Sequence, residues 1–135
     1  MIFTVEGKIK GKGRPRFNGS FAYTPKGTVS YENWIKLCYK QQVDEKSFDN
    51  TKALRMDVIA YYTVPKSYSK KKKQQCLDGE IRPTKIPDAD NILKIIADSL
   101  NGLAYADDRQ IVEMHIKKAY VPTLERVEVK IEEAK

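Results

Sequence analysis

The stretch Leu54-Arg55-Met56-Asp57-Val58-Ile59-Ala60-Tyr61-Tyr62 decides how the rest of the chain is read. Leu54, Met56, Val58, Ala60 and Tyr62 recur at every second position, the period of a strand with one face on a core. This strand signal covers residues 53–64 and stops at Pro65, which has no N–H for a ladder. On its N-terminal side, residues 28–43 turn helical, with Tyr31, Trp34, Ile35, Cys38 and Gln42 on one side. Residues 2–9 open the chain as a strand carrying Phe3, Val5 and Ile9, and residues 11–20 form a loop punctuated by glycine and proline. On its C-terminal side, Ser67 and Ser69 can cap a short polar helix beginning at Lys70, and residues 79–87 form a loop. Ile92, Leu93, Ile96 and Leu100 then mark a helix over 91–101 that stops at Gly102. After a turn at 105–110, Val112, Met114, Ile116 and Tyr120 mark a strand over 111–121, and Val127, Val129 and Ile131 mark another. These last two predict a hairpin around Pro122-Thr123. The order is β-α-β-α-α-β-β over one domain, residues 1–135. That is the α+β class: a mixed sheet with helices packed on one face.

Composition narrows the function. The chain has 135 residues, with 25 Lys and Arg against 18 Asp and Glu, a net charge of +7. This excess favours a polyanionic partner, nucleic acid or an anionic surface. No stretch has the roughly 18–20 apolar residues of a membrane span. Residues 1–8 lack the pattern of a secretory signal, so Cys38 and Cys76 read as reduced thiols of a cytoplasmic protein. A single histidine, His115, and no CxxC pair argue against structural zinc. His115 falls on the strand face opposite Met114 and Ile116 and reads as structural or exposed.

The acids carry the chemistry. Asp88-Ala89-Asp90-Asn91 precedes an apolar helix, and Asp107-Asp108 follows it. One acid there is an ordinary N-cap, at Asp90 or Asn91, and acids are common in turns. Four acids exceed that need. In extended chain Asp88 and Asp90 point the same way, about 7 Å apart. If the strand after Asp108 lies beside residues 88–90, three or four carboxylates converge and require a cation, a shared proton or a basic neighbour. All-oxygen ligation suits Mg²⁺ or Mn²⁺. On a basic chain such a site points to phosphodiester hydrolysis. Lys94, one turn after Asp90, is placed to meet a phosphate, or is an ordinary partner of Asp90 and Asp98.

Asp-x-Asp-Asn-x-x-Lys at 88–94, Ala-Asp-Ser-Leu-Asn-Gly at 97–102 and Asp-Asp-x-Gln at 107–110 resemble the RusA family of Holliday junction resolvases. Gly-Lys-Gly-Arg-Pro-Arg at 11–16 and Tyr-Thr-Pro-Lys at 23–26 resemble its phage and prophage branch. The resemblance runs from the first strand to the last. The chain departs from the better-known pattern at Tyr105-Ala106, where that pattern has a Trp-Leu-like step. The resemblance implies a homodimeric, Mg²⁺-dependent endonuclease, with Mn²⁺ as a substitute, that cuts four-way DNA junctions by paired symmetric nicks. It implies catalytic roles for Asp88, Asp90, Asp108 and Lys94, with metal held by Asp88, Asp90, Asp108 and the flanking Asp107. It implies no membrane partner and no small-molecule cofactor. The setting it implies is the bacterial cytoplasm, with a phage or prophage gene.

Basic residues supply DNA-binding candidates: Lys12, Arg14, Arg16 and Lys26 near the N-terminal loop, and the run Lys70, Lys71, Lys72, Lys73. A lysine run is equally a solvated face. Counterion release favours DNA, and a two-fold dimer matches the two-fold symmetry of a junction. Phe17 or Tyr23 is a candidate stacking wedge, while Tyr31, Trp34 and Tyr39 read as core or dimer contacts. Two other readings stay open: a non-catalytic recombination accessory protein, and a branched-DNA nuclease of wider range.

Overall fold

The strand that organised the sequence sits inside the sheet with a partner on each side. In this computed structural model, residues 1–13, 16–19, 21–23, 26–44 and 46–135 are described, with only the backbone described at 16–18 and 21–23. The strands are β1 (Ile2–Glu6), β2 (Arg16–Asn18), β3 (Phe21–Tyr23), β4 (Leu54–Thr63), β5 (Ile111–Val121) and β6 (Arg126–Glu133). The helices are α1 (Lys26–Val43), α2 (Lys70–Leu77) and α3 (Ala89–Ser99), and a 3-10 turn covers Asp108–Gln110. The main sheet has the order β1-β6-β4-β5. β4 runs parallel to β5 and antiparallel to β6, and β1 runs antiparallel to β6. It is a single α+β domain with a mixed sheet, as expected.

Two expectations are corrected. β5 and β6 form no hairpin, because β4 lies between them. Strands two places apart are about 9.6 Å apart, and the four residues 122–125 can reach up to about 13 Å, so the link steps over the end of β4. Residues 11–20 are not all loop: β2 and β3 pair antiparallel, Arg16 opposite Tyr23, with Gly19 at φ +67° in the turn.

The alternation in β4 holds along its length. Leu54, Met56, Val58, Ala60 and Tyr62 are buried, and register sets Val58 beside Val129 of β6 and Ile116 of β5. Phe3 and Val5 extend this face across β1. Helices cover it. Tyr31, Ile35, Cys38 and Tyr39 of α1 pack there, with Tyr39 edge-on to Phe3. Ile92, Ile95, Ile96 and Leu100 bring α3 into the same core. Ser69 caps α2 by accepting from Lys72 N–H at 3.2 Å. Trp34 and Gln42 do not join the core. Trp34 Nε1 donates to Glu6 O at 2.7 Å, and Gln42 bonds both Thr4 N–H and Thr4 O at 2.8 and 2.6 Å. These side chains occupy the free edge of β1, which would otherwise offer unpaired backbone groups.

Candidate active site: an acidic cleft between helix α3 and strand β5

Helix α3 begins at Ala89 with Asp88 as its N-cap, two residues before Asp90 and three before Asn91, the caps expected from sequence. Asp88 has extended backbone, yet its side chain makes no capping hydrogen bond. Capping therefore does not use up either acid of the pair, and both Asp88 and Asp90 are exposed. Asp90, Lys94 and Asp98 follow at intervals of four, which stacks them on one stripe of the helix. That stripe faces a cleft lined by Asp90, Leu93, Lys94, Ala97 and Asp98 of α3, Asp108 of the 3-10 turn, and Ile111 and Met114 of β5.

Asp108 is fixed from two directions. Its N–H donates to Asn101 Oδ1 at 2.7 Å, and Asn101 Nδ2 donates to its Oδ2 at 3.4 Å. Partial burial, then the nearby Asp98 and Asp107, raise its pKa above the ordinary carboxylate value, against the lowering effect of Asn101. Asp98 also meets Lys12, whose Nζ lies 3.3 Å from Asp98 Oδ2 and 3.1 Å from Glu32 Oε1. Burial disfavours that ammonium, but Glu32 and Asp98 outweigh it and hold the Lys12 pKa above the usual lysine value. The loop carrying Lys12 is pressed onto α3: Lys12 N–H donates to Asn91 O at 3.2 Å, and a Cβ on Gly11 would stand 2.8 Å from Pro87 Cβ.

The expected site residues divide. Asp90, Lys94 and Asp108 line one cleft. Asp88 sits at the helix start and is not among the lining residues. Asp107 works in the backbone: its carboxylate accepts from Arg109 N–H at 2.9 Å while the Gln110 side chain accepts from Ala106 and Asp107 N–H, a capping box. Gln110 Nε2 also donates to Asp49 O and Lys52 O, which ties this turn to the approach to β4. Lys12 is engaged with acids. Lys26, Lys70, Lys71 and Lys72 are exposed, and Lys72 lies 3.9 Å over the Tyr68 ring. Arg14 and the side chains of Arg16, Phe17 and Tyr23 lie outside the described residues. His115 is exposed, and Tyr31 and Tyr39 are core. Asp98 in the cleft and Asn101, which holds Asp108 without lining the cleft, are residues that sequence reasoning did not assign to the site, although the 90-94-98 spacing carried the first of them.

The donor set fits a hard divalent cation by its chemistry. Carboxylate oxygens are what Mg²⁺ and Mn²⁺ select, and crowded acids at Asp98 and Asp108 are relieved by positive charge. Among the described residues, no three acidic side chains are already drawn together as a ligand group.

Comparison with known proteins gives the family. The family model described as endodeoxyribonuclease RusA matches residues 6–132, nearly the whole chain. The chain belongs to the RusA family. A relative from Bacillus subtilis (strain 168), described as uncharacterized protein YqaN, is 39% identical over 137 residues, covering 97% of this chain and 94% of its own length. RusA membership makes the protein a DNA endonuclease of a family associated with Holliday junction resolution and recombination. Among the described residues, no helix is long and apolar enough to cross a membrane.

Proposed function

We propose that this RusA-family protein is an Mg²⁺-dependent endonuclease that resolves four-way DNA junctions as a homodimer, by paired symmetric nicks. The observation that carries the reading is the shared cleft of Asp90, Lys94 and Asp108 on a chain of net charge +7. Asp90 and Asp108, joined by Asp88 from the helix start and Asp98 from the last turn, would hold the metal. When bound, the metal supplies an activated water and neutralises charge on the phosphate. The chain's own residues do the rest. Lys94, exposed and one turn from Asp90, presents its ammonium to a non-bridging phosphate oxygen. Asn101 fixes the backbone and carboxylate of Asp108, so that this acid does not swing away from the cleft. Asp107, whose carboxylate holds the turn that carries Asp108, flanks this set. The Lys70–Lys73 run and the basic N-terminal loop hold DNA by its backbone, so selectivity comes from junction shape. The setting is the bacterial cytoplasm, with a prophage origin.

The test is a labelled mobile junction incubated with Mg²⁺ or EDTA, alongside Asp90→Asn. Paired nicks that require both Mg²⁺ and Asp90 support the proposal. Cleavage by Asp90→Asn at the unaltered rate removes Asp90 from the site. Tight junction binding without any metal-dependent product moves the protein to a non-catalytic accessory role.

A further inference from the structure

Strand β5 lines two sites in succession. Ile111 and Met114 belong to the acidic cleft, while His115, Ile116, Lys117 and Lys118 line a second groove with Arg82 and Ala89. Ala89 is the residue between Asp88 and Asp90, so the grooves meet at the acidic motif. We propose that this second groove is a phosphate-binding track for the DNA strand on one side of the cut. The inference rests on the nuclease reading and extends it to residues which that reading does not use.

The cations here are held in place without carboxylates. Arg82 Nε and Nη2 both donate to Lys118 O, at 2.9 and 2.6 Å. Lys118 Nζ donates to Lys85 O at 2.7 Å. Lys85 Nζ lies 5.3 Å from the Tyr62 ring centroid and 5.6 Å from that of Tyr120, and Lys118 Nζ lies 5.9 Å from Tyr62. Arg82, Lys85, Lys117 and Lys118 make no ion pair among the described residues. In contrast, Arg55, Arg126 and Lys130 of the neighbouring strands each stand within 4 Å of an acid. Carbonyls and aromatic faces orient positive charge without cancelling it. The acids beside the groove are Asp88 and Asp90, which flank Ala89 and are already assigned to the metal, and Asp57, which lies opposite His115 in the register and is paired with Arg55. Like charges gathered and oriented in one groove are a standing repulsion that a bound polyanion relieves. A row of phosphates is the polyanion expected next to a nuclease site.

The spacing suits a strand of DNA. From Met114 to Lys118 the β5 backbone rises about 13 Å, at 3.3 Å per residue. That matches the rise of roughly four base pairs at 3.4 Å each along a duplex axis, and successive phosphates of one strand, which wind around the axis, stand farther apart than that rise, so the groove spans fewer than four of them. A phosphodiester whose scissile bond lies in the acidic cleft therefore has a flanking phosphate within reach of the groove, where Lys118 and Arg82 stand on the Met114 side of this edge strand and Lys117 projects from its other face. The groove lies along the outer edge of the sheet, a surface separate from the α2 lysine run in sequence and in residues used.

The experiment measures junction affinity of the full chain in EDTA, between about 50 and 200 mM salt (so that cleavage plays no part), for Arg82→Gln, Lys117→Gln and the double variant. Lys40→Gln, at the exposed end of α1, is the control. Removing one phosphate-binding cation should make the log–log salt slope shallower by about 0.9. Over this fourfold salt range that amounts to a roughly 3.5-fold smaller fall in affinity for each cation removed. Arg82→Lys should keep the slope. Arg82 braces β5, so thermal melts accompany each variant, and Lys117→Gln, with no bonded partner to forfeit, decides the matter if Arg82→Gln unfolds. Folded variants with unaltered slopes overturn the track, even if the junction is still cut. Shallower slopes in a protein that never cuts would uphold the track and refute the nuclease reading. No DNA binding by the unaltered chain overturns both.

Discussion

Replacing Gly11 by alanine tests how the N-terminal loop is held against the site. An added Cβ would lie 2.8 Å from Pro87 Cβ and 2.9 Å from Asn91 Cβ. Both are first side-chain atoms and cannot rotate aside, so the loop must retreat by about 0.7–1.2 Å to reach an ordinary carbon–carbon separation of about 3.5–4.0 Å. That retreat stretches the 3.2 Å bond from Lys12 N–H to Asn91 O and draws Lys12 Nζ away from Asp98. Overpacking of this kind costs about 1–3 kcal/mol, offset by about 0.4–1 kcal/mol from a stiffer unfolded chain. The net loss, up to about 2.6 kcal/mol with a mid-range value of about 1.3 kcal/mol, corresponds at mid-range to a fall in Tm of about 4–5 °C for a chain of this size. Gly27→Ala is the matched control. It lies in α1 with nothing within 4 Å of an added Cβ, and it should stabilise by up to about 1 kcal/mol. Urea and thermal denaturation followed by circular dichroism read both. If Gly11→Ala melts with the unaltered protein and the Lys12 amide keeps its exchange protection, the close packing of loop on helix is refuted.

Three further outcomes concern the turn, the sheet edge and the buried phenols. Asp107→Ala should lower stability by about 1 kcal/mol, read from the urea midpoint, because it opens the capping box of the turn that carries Asp108. Gln42→Ala should leave Thr4 N–H and C=O at an open sheet edge, with faster exchange at Thr4 and more light scattering on concentration; unchanged exchange would contradict the edge seal. Burial raises the phenol pKa of Tyr31, Tyr105 and Tyr62, the last to about 12. A folded pKa above the unfolded value near 10 means that this stabilisation is complete below pH 10 and lost as pH climbs toward 12. Absorbance titration at alkaline pH should find these tyrosines ionising only as the chain unfolds, and free titration near pH 10 in the folded state would refute it.

What was legible depended on whether a pattern was local. The face of β4 was readable because five buried side chains repeat at a period of two, and α3 because Ile92, Ile96 and Leu100 repeat at helical spacing. Trp34 read as a core or dimer contact because its spacing fits α1; it is not core, and its indole N–H bonds at the edge of β1, a partner 28 residues away. The insertion of β4 between β5 and β6 had no local sign. Pro122-Thr123 looks the same whether the link turns back on itself or steps over a strand. In the cleft, Asp90, Lys94 and Asp108 were legible from spacing. Asp98 looked like a plain i, i+4 partner of Lys94. Its ion pair with Lys12 crosses 86 positions, and its approach to Asp108 depends on how the chain returns after Gly102. The second groove was the least legible, since Arg82, Lys85 and Lys118 come together only when residues 79–87 lie along β5.

The position of β6 sets an order of events during synthesis. Among the described residues β1 pairs with β6 alone, so a strand made first waits for one made 120 or more residues later. Until residues 126–133 have left the ribosome, β4 has one open side and β1 has no partner in the sheet. Pairings this distant in sequence close slowly. A nascent chain in that interval carries one unpaired apolar strand, β1, and one half-paired strand, β4. The burden on chaperones should therefore be greatest just before the last strand emerges, and ribosome-stalled chains ending near residue 125 should be protease-sensitive where chains with β6 free of the exit tunnel are not.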